Sequence, residues 1–241
     1  MSFLNLAINI GAWRGMGYGE SVGAMVENEG LVIPAVEDLK AEIIEYASSN
    51  PRKSAAAADL LFKIQDCDLR DGRLELAHPF KQFGVQAAAY RLGIPLTGHP
   101  MFGHDIIYNH AMNHGAAIGR AAQRDFLTFV NAVSQVDGGV YLSVGSAVMS
   151  PMIFEKSLSI ARNVAHQKNE RIDDHFILVA DLAKSRWDWS KGEPPMDNPD
   201  YYLRFNKTFS RMGGTMRYLS IDNRDLLLAL LQRLEPKVLE A

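Results

Sequence analysis

From residue 81 onward the sequence alternates two kinds of segment: short apolar runs, and longer stretches with apolar residues three and four apart. The runs fall at 94–97, 140–144, 176–180 and 216–219, and the longer stretches at 81–91, 116–133, 152–167, 201–212 and 224–234. Strands separated by helices of this length pair in parallel, because a parallel return must cross over the sheet. The expected fold class is therefore α/β: a parallel sheet with helices on both faces. Such sheets bind ligands outside the carboxyl ends of their strands, which places a site at 97–114 and 143–151, with Asp181 at the end of a third strand.

Upstream, residues 2–11 read as one or two helical turns, followed by a glycine-dense loop and a helix from Ser21. Residues 37–48 are amphipathic and stop at Asn50-Pro51, and 54–65 form a second helix with an alanine-rich face. Residues 66–79 are polar and turn-rich. We expect a single domain over 1–241, with 1–80 a mostly helical part and 81–241 the core. A net charge of −3 with no basic stripe argues against nucleic acid as a partner. No apolar run nears the roughly 20 residues that span a bilayer, so no membrane partner is expected. The start, MSFLNLAINIG, lacks the charged beginning and cleavage site of a signal peptide. The lone Cys67, read as an idle thiol, suits a reducing cytoplasm, the expected location.

Two segments carry the best candidates for chemistry. In the first, four of the seven histidines (His99, His104, His110 and His114) fall within one short stretch that also holds Asp105. Imidazole moves protons near neutral pH or binds metal. If the stretch is helical, His110 and His114 share a face. His104, Asp105, His110 and His114 are a candidate metal set, and the alternative is that these histidines cap loops or pack at an interface. In the second, Gly145, Ser146 and the small residues up to Ser150-Pro151 follow a strand and lead into a helix. Backbone amides and the helix dipole there favour an anion such as phosphate, although Gly145 is also explained if it only lets the strand turn. Ser146 lies outside a G-x-S-x-G elbow, which argues against a serine hydrolase.

Gly15-x-Gly17-x-Gly19 is not the dinucleotide fingerprint, and reads as either a phosphate cradle or a flexible turn. Asp181 is a candidate for holding a ribose hydroxyl or an amine, or for capping a helix. Trp187 and Trp189 either wall a pocket or pack at an interface.

Taken together, Ile94-Pro95…Pro100 leading to His104-Asp105-Ile-Ile-Tyr-Asn-His110, and the later Val144-Gly145-Ser146-Ala-Val-Met149-Ser150, resemble the carboxyl half of the deoxyhypusine synthase family over residues 90–180. The resemblance implies a Rossmann-like, dinucleotide-binding fold with NAD as cofactor. It implies His110 as the acid–base group, Asp105 as its orienting residue or a holder of a cationic substrate, and Gly145 as one of the family's strand-end glycines; with Ser146 of the same loop and Asp181 at its strand end, Gly145 is a candidate cofactor contact. It also implies a homo-oligomer, a tetramer in the family, acting on a polyamine-like small molecule. The family's imine-forming lysine falls at Met149, and methionine offers no amine nucleophile. That argues against true deoxyhypusine synthase activity. The alternatives are a non-catalytic ligand-binding protein of the same fold and a metal-dependent hydrolase built on the 104–114 cluster.

Overall fold

The computed structural model describes residues 1–238. The chain divides into two compact units, Met1–Phe129 and Val130–Ala241.

The first unit is built on α1 (Ser2–Arg14), a full helix of 13 residues where the sequence suggested one or two turns. Asn5 through Ala12 are all buried, so the helix is covered on every side. One side packs Leu6, Ala7 and Ile10 against Leu31, Leu39, Leu60 and Ile64. Another packs Ile8 and Ala12 against Ile107, Ile118 and Ala121. Gly15, at φ 81°, ends the helix in the left-handed conformation that lets its own N–H reach back to Ala12 and the Met16 N–H to Gly11.

The chain continues through α2 (Tyr18–Glu27), β1 (Gly30–Ile33), α3 (Val36–Ser49) and α4 (Pro51–Asp66). Asn50 caps α4 by accepting from the Lys53 amide at 3.2 Å, with Pro51 in the first helical position, where no N–H is needed. A short strand, β2 (Gly72–Glu75), pairs antiparallel with β1, Gly30 facing Glu75. The sequence pattern showed only turns there, since four residues of mixed polarity leave no periodicity to read. Then come α5 (Val85–Leu92), preceded by a 3-10 turn at Lys81–Phe83, and α6 (Gly115–Val133).

Residues 94–97 do not form a strand. Pro95 has no N–H to give a ladder, and no strand lies alongside. The Ile94 amide instead closes the end of α5 on Ala89, and the Leu96 carbonyl packs against Gly19. The segment therefore contributes nothing to a parallel sheet.

The second unit holds that sheet: β3 (Val140–Val144), β4 (Phe176–Asp181) and β5 (Thr215–Ser220), all parallel in the order β3-β4-β5. The crossovers run through α7 (Met149–Gln167) and α8 (Arg204–Ser210), and α9 (Asn223–Val238) follows β5. The fold is thus mixed α/β with a small, three-stranded parallel sheet. One face is capped by rings: Tyr141 stacks on Phe154 of α7 with centroids 3.9 Å apart, and Phe209 of α8 lies 5.9 Å from Tyr141. Phe154 and Phe209 are fully buried. Strand alternation turns Val140 and Leu142 to the opposite face, where they remain 65% and 39% exposed. Among the described residues, no helix is long and apolar enough to cross a membrane.

Candidate functional site

The strand register of the second unit brings three chain exits together. Val144 pairs with Ala180, and Ala180 with Leu219, so Gly145, Asp181 and Ser220 stand in a row at the carboxyl rim. Gly145 adds one more ladder bond, its N–H to the Ala180 carbonyl at 2.9 Å. It then turns at φ 62°, and a Cβ placed there would come within 2.3 Å of the Asn223 side-chain amide at the head of α9. Glycine is needed here both for the left-handed backbone and for close approach.

The next residues build the head of α7. The Ser146 hydroxyl accepts from the Ser150 amide at 3.0 Å. Ser150 sits inside the helix. Its hydroxyl bonds to the Tyr141 and Ser143 hydroxyls, each at 2.7 Å, tying the first turn of α7 to β3. Pro151 is the third helical residue. The amides of Ala147, Val148 and Met149 have no acceptor among the described residues. Three free donors in succession, at the positive end of a 19-residue helix, form a region that favours an anion.

Asp181, at the end of β4, accepts from the Ala183 amide through Oδ1 at 3.0 Å, and no donor among the described residues takes Oδ2. The Tyr218 hydroxyl donates to the Ala183 carbonyl at 2.5 Å. Burial first, then the charges of Asp181 and Asp200, push this phenol up to about 12, so it stays protonated. Asp200 accepts from the Ser185 hydroxyl and the amides of Arg186 and Trp187, at 2.8–3.1 Å, which organises the loop after β4. The tryptophans serve that loop. Trp189 is buried and donates to Ser185, and Trp187 donates to the Gly192 carbonyl. Val148 and Leu182, just beyond β3 and β4, are 63% and 70% exposed and add apolar surface at the rim.

The histidine-bearing loop belongs to the first unit and does not leave a strand. Buried Asn5 and Asn9 of α1 anchor it, donating to the Ile107 and Met112 carbonyls at 3.2 and 3.0 Å. Two asparagines four apart in an apolar helix are the signal of this anchor in the sequence. Residues 110–114 are not helical, so His110 and His114 share no helix face. Their side chains go separate ways. His110 accepts from the Met112 amide through Nδ1 at 3.0 Å, and Nε2 has no partner among the described residues. Asp105 accepts from the Met101 amide at 2.7 Å and is exposed, so it does not orient His110. His104 is exposed. His114 lies 3.9 Å from Asp59, with its ring 5.8 Å from Phe62. His99 bonds the Thr97 hydroxyl at 3.0 Å, and burial pushes its pKa down against the opposing pull of Asp125. Among the described residues no three His, Cys, Asp or Glu side chains are grouped to hold a metal, so His104, Asp105, His110 and His114 do not form a ligand set.

The Gly15-x-Gly17-x-Gly19 segment cradles an anion that the protein itself supplies. Buried Asp125 of α6 accepts from the Gly19 amide at 2.9 Å and from the Gly98 amide at 2.6 Å, both through Oδ2. A Cβ on Gly17 would strike this carboxylate, and one on Gly19 would strike the Leu96 carbonyl. These glycines thus serve close packing around Asp125, a residue that sequence reasoning did not single out.

Comparisons with protein-family models, with curated proteins and with solved structures found no match to this chain.

Proposed function

We propose that the second unit binds a nucleotide in a Rossmann-like manner at the carboxyl rim of its sheet, with NAD the favoured ligand. The observation that carries this reading is the run of amides at Ala147, Val148 and Met149 with no acceptor among the described residues, one strand away from an Asp181 oxygen with no donor among them. A dinucleotide needs that pair of features: donors for its phosphates and an acceptor for a ribose hydroxyl. Gly145 and Ser146 shape the turn between them, and exposed Val148 and Leu182 offer apolar surface to a base. The likeness to the deoxyhypusine synthase family supports the same choice of ligand and a homo-oligomer, for which the open face at Val140 and Leu142 supplies apolar surface.

A catalytic version of this reading adds turnover of a polyamine-like amine, for which the family likeness names His110 as the acid–base group. A second reading, a binding protein without turnover, is favoured by Met149 at the first position of α7 and by the separate engagements of Asp105 and His110.

The test is calorimetric titration of the full chain with NAD, alongside mass spectrometry of small molecules released from freshly purified protein. The reading expects NAD binding that Asp181→Asn weakens by about tenfold, the loss of one charge-assisted hydrogen bond. No heat with NAD and no released nucleotide would overturn it. Turnover of a polyamine by wild type but not by His110→Ala separates the catalytic version from the second reading.

A further inference from the structure

We propose that the first unit carries its own ligand site, for a free α-amino acid with an apolar side chain, between the glycine-rich segment and the residues that follow α5. A cavity of about 290 Å³ lies there. Its walls include Ala89, Tyr90, Ile94, Pro95 and Leu96, so most of the lining is apolar. Pockets for drug-sized ligands begin near roughly 300 Å³, so this space suits a molecule on the scale of one amino acid.

Two opposite charges line the same cavity, and each has capacity to spare. Asp125 is 3% exposed. Its Oδ2 is taken by the Gly19 and Gly98 amides, whereas Oδ1 accepts no hydrogen bond among the described residues. A carboxylate this buried with an open acceptor position favours a cationic donor. Arg124, its neighbour on α6, lines the cavity as well and has no ion pair or hydrogen bond among the described residues. Its guanidinium stands over Gly15, 3.5 Å from where a Cβ on that residue would lie. No ion pair or hydrogen bond joins the two among the described residues, and a ligand carrying ammonium and carboxylate on one carbon satisfies both. Guanidinium binds carboxylate through two parallel hydrogen bonds, and Asp125 Oδ1 accepts from the ammonium. Exposed Glu20 on the lining adds a second acceptor for the ammonium. The glycine segment that looked like a phosphate cradle thus lines a site of mixed charge, because the Gly19 amide already holds a carboxylate.

The test is calorimetric titration of the full chain with L-leucine, 4-methylpentanoate, which lacks the ammonium, and 3-methylbutylamine, which lacks the carboxylate. L-leucine is expected to bind at one site per chain, and each one-armed analogue at least about tenfold more weakly. Arg124 is exposed, so Arg124→Gln keeps the fold. It is expected to weaken L-leucine by about tenfold or more while leaving 3-methylbutylamine unchanged. Asp125→Asn also disturbs the glycine segment, so the cavity is tested independently by Thr128→Tyr, which fills it from α6 and is expected to abolish binding. The proposal is overturned if L-leucine gives no binding heat, if 3-methylbutylamine binds as tightly as L-leucine, or if either variant leaves L-leucine affinity unchanged.

Discussion

Replacing Gly145 by alanine separates two costs at the exit of β3. The first is conformational. At φ 62° an L-residue pays roughly 1–2 kcal/mol relative to glycine. The second is steric. The added methyl would lie 2.3 Å from the Asn223 Nδ2, the movable end of a side chain, so relief by rotation limits this cost to roughly 1 kcal/mol. Together they give about 2–3 kcal/mol, which for a chain of this length lowers the unfolding midpoint by roughly 5–10 °C. The assay is urea unfolding followed by tryptophan fluorescence, since Trp187 and Trp189 both lie in the second unit. Asn223→Ala in the Gly145→Ala background removes the clash and leaves the backbone cost, so the pair should be more stable than Gly145→Ala alone by about 1 kcal/mol. A loss below about 0.5 kcal/mol for Gly145→Ala would show that the turn tolerates a side chain. A double variant no more stable than the single would show that Asn223 is not the obstacle. Either result removes the account of the rim given above.

Three further outcomes follow from the same packing and hydrogen bonds. Phe154 is fully buried between Tyr141 and Phe209, so Phe154→Ala should cost about 3–5 kcal/mol in urea unfolding. His110→Ala loses one bond from the Met112 amide and should cost only about 1 kcal/mol, leaving the circular dichroism spectrum intact; a much larger loss would make His110 a structural residue. His175 is 3% exposed, neither ring nitrogen has a partner among the described residues, and burial, then Arg162, push its pKa below the ordinary value against Asp137, Asp173 and Asp174. The unfolded chain therefore takes up this proton first. Stability is fully present above about pH 6.5 and is lost as pH falls from there toward the depressed folded value. Unfolding midpoints measured across that interval should fall less steeply in His175→Gln, with a residual slope from His99, which is shifted the same way.

The three paired strands of the second unit were readable because a buried parallel strand is a continuous apolar run, and their observed bounds differ from the expected ones by at most one residue. The run at 94–97 carries the same signal and is not a strand. Apolar composition marks a segment for contact with the core, but strand formation needs a neighbour with free donors and acceptors, and Pro95 faces none. The histidines show the same limit at the level of the site. Closeness along the chain became convergence only on the assumption of a helix at 110–114. The backbone there is irregular, held by Asn5 and Asn9 from more than a hundred residues away. Gly145, Ser146 and Asp181 were legible because strand ends fix their location. The role of Asp125 was not, since nothing local to α6 indicates that its carboxylate holds Gly19 and Gly98.

That same carboxylate sets an order of events during synthesis. Gly19 leaves the ribosome 106 residues before the side chain that fastens it. At about 5–20 residues per second, the amino-terminal glycines wait roughly 5–20 s with no acceptor. A nascent chain halted before residue 125 should be cut by protease near Gly15–Gly19, and one released beyond it should resist. The last helix of the first unit is in this sense the latch for its opening turn.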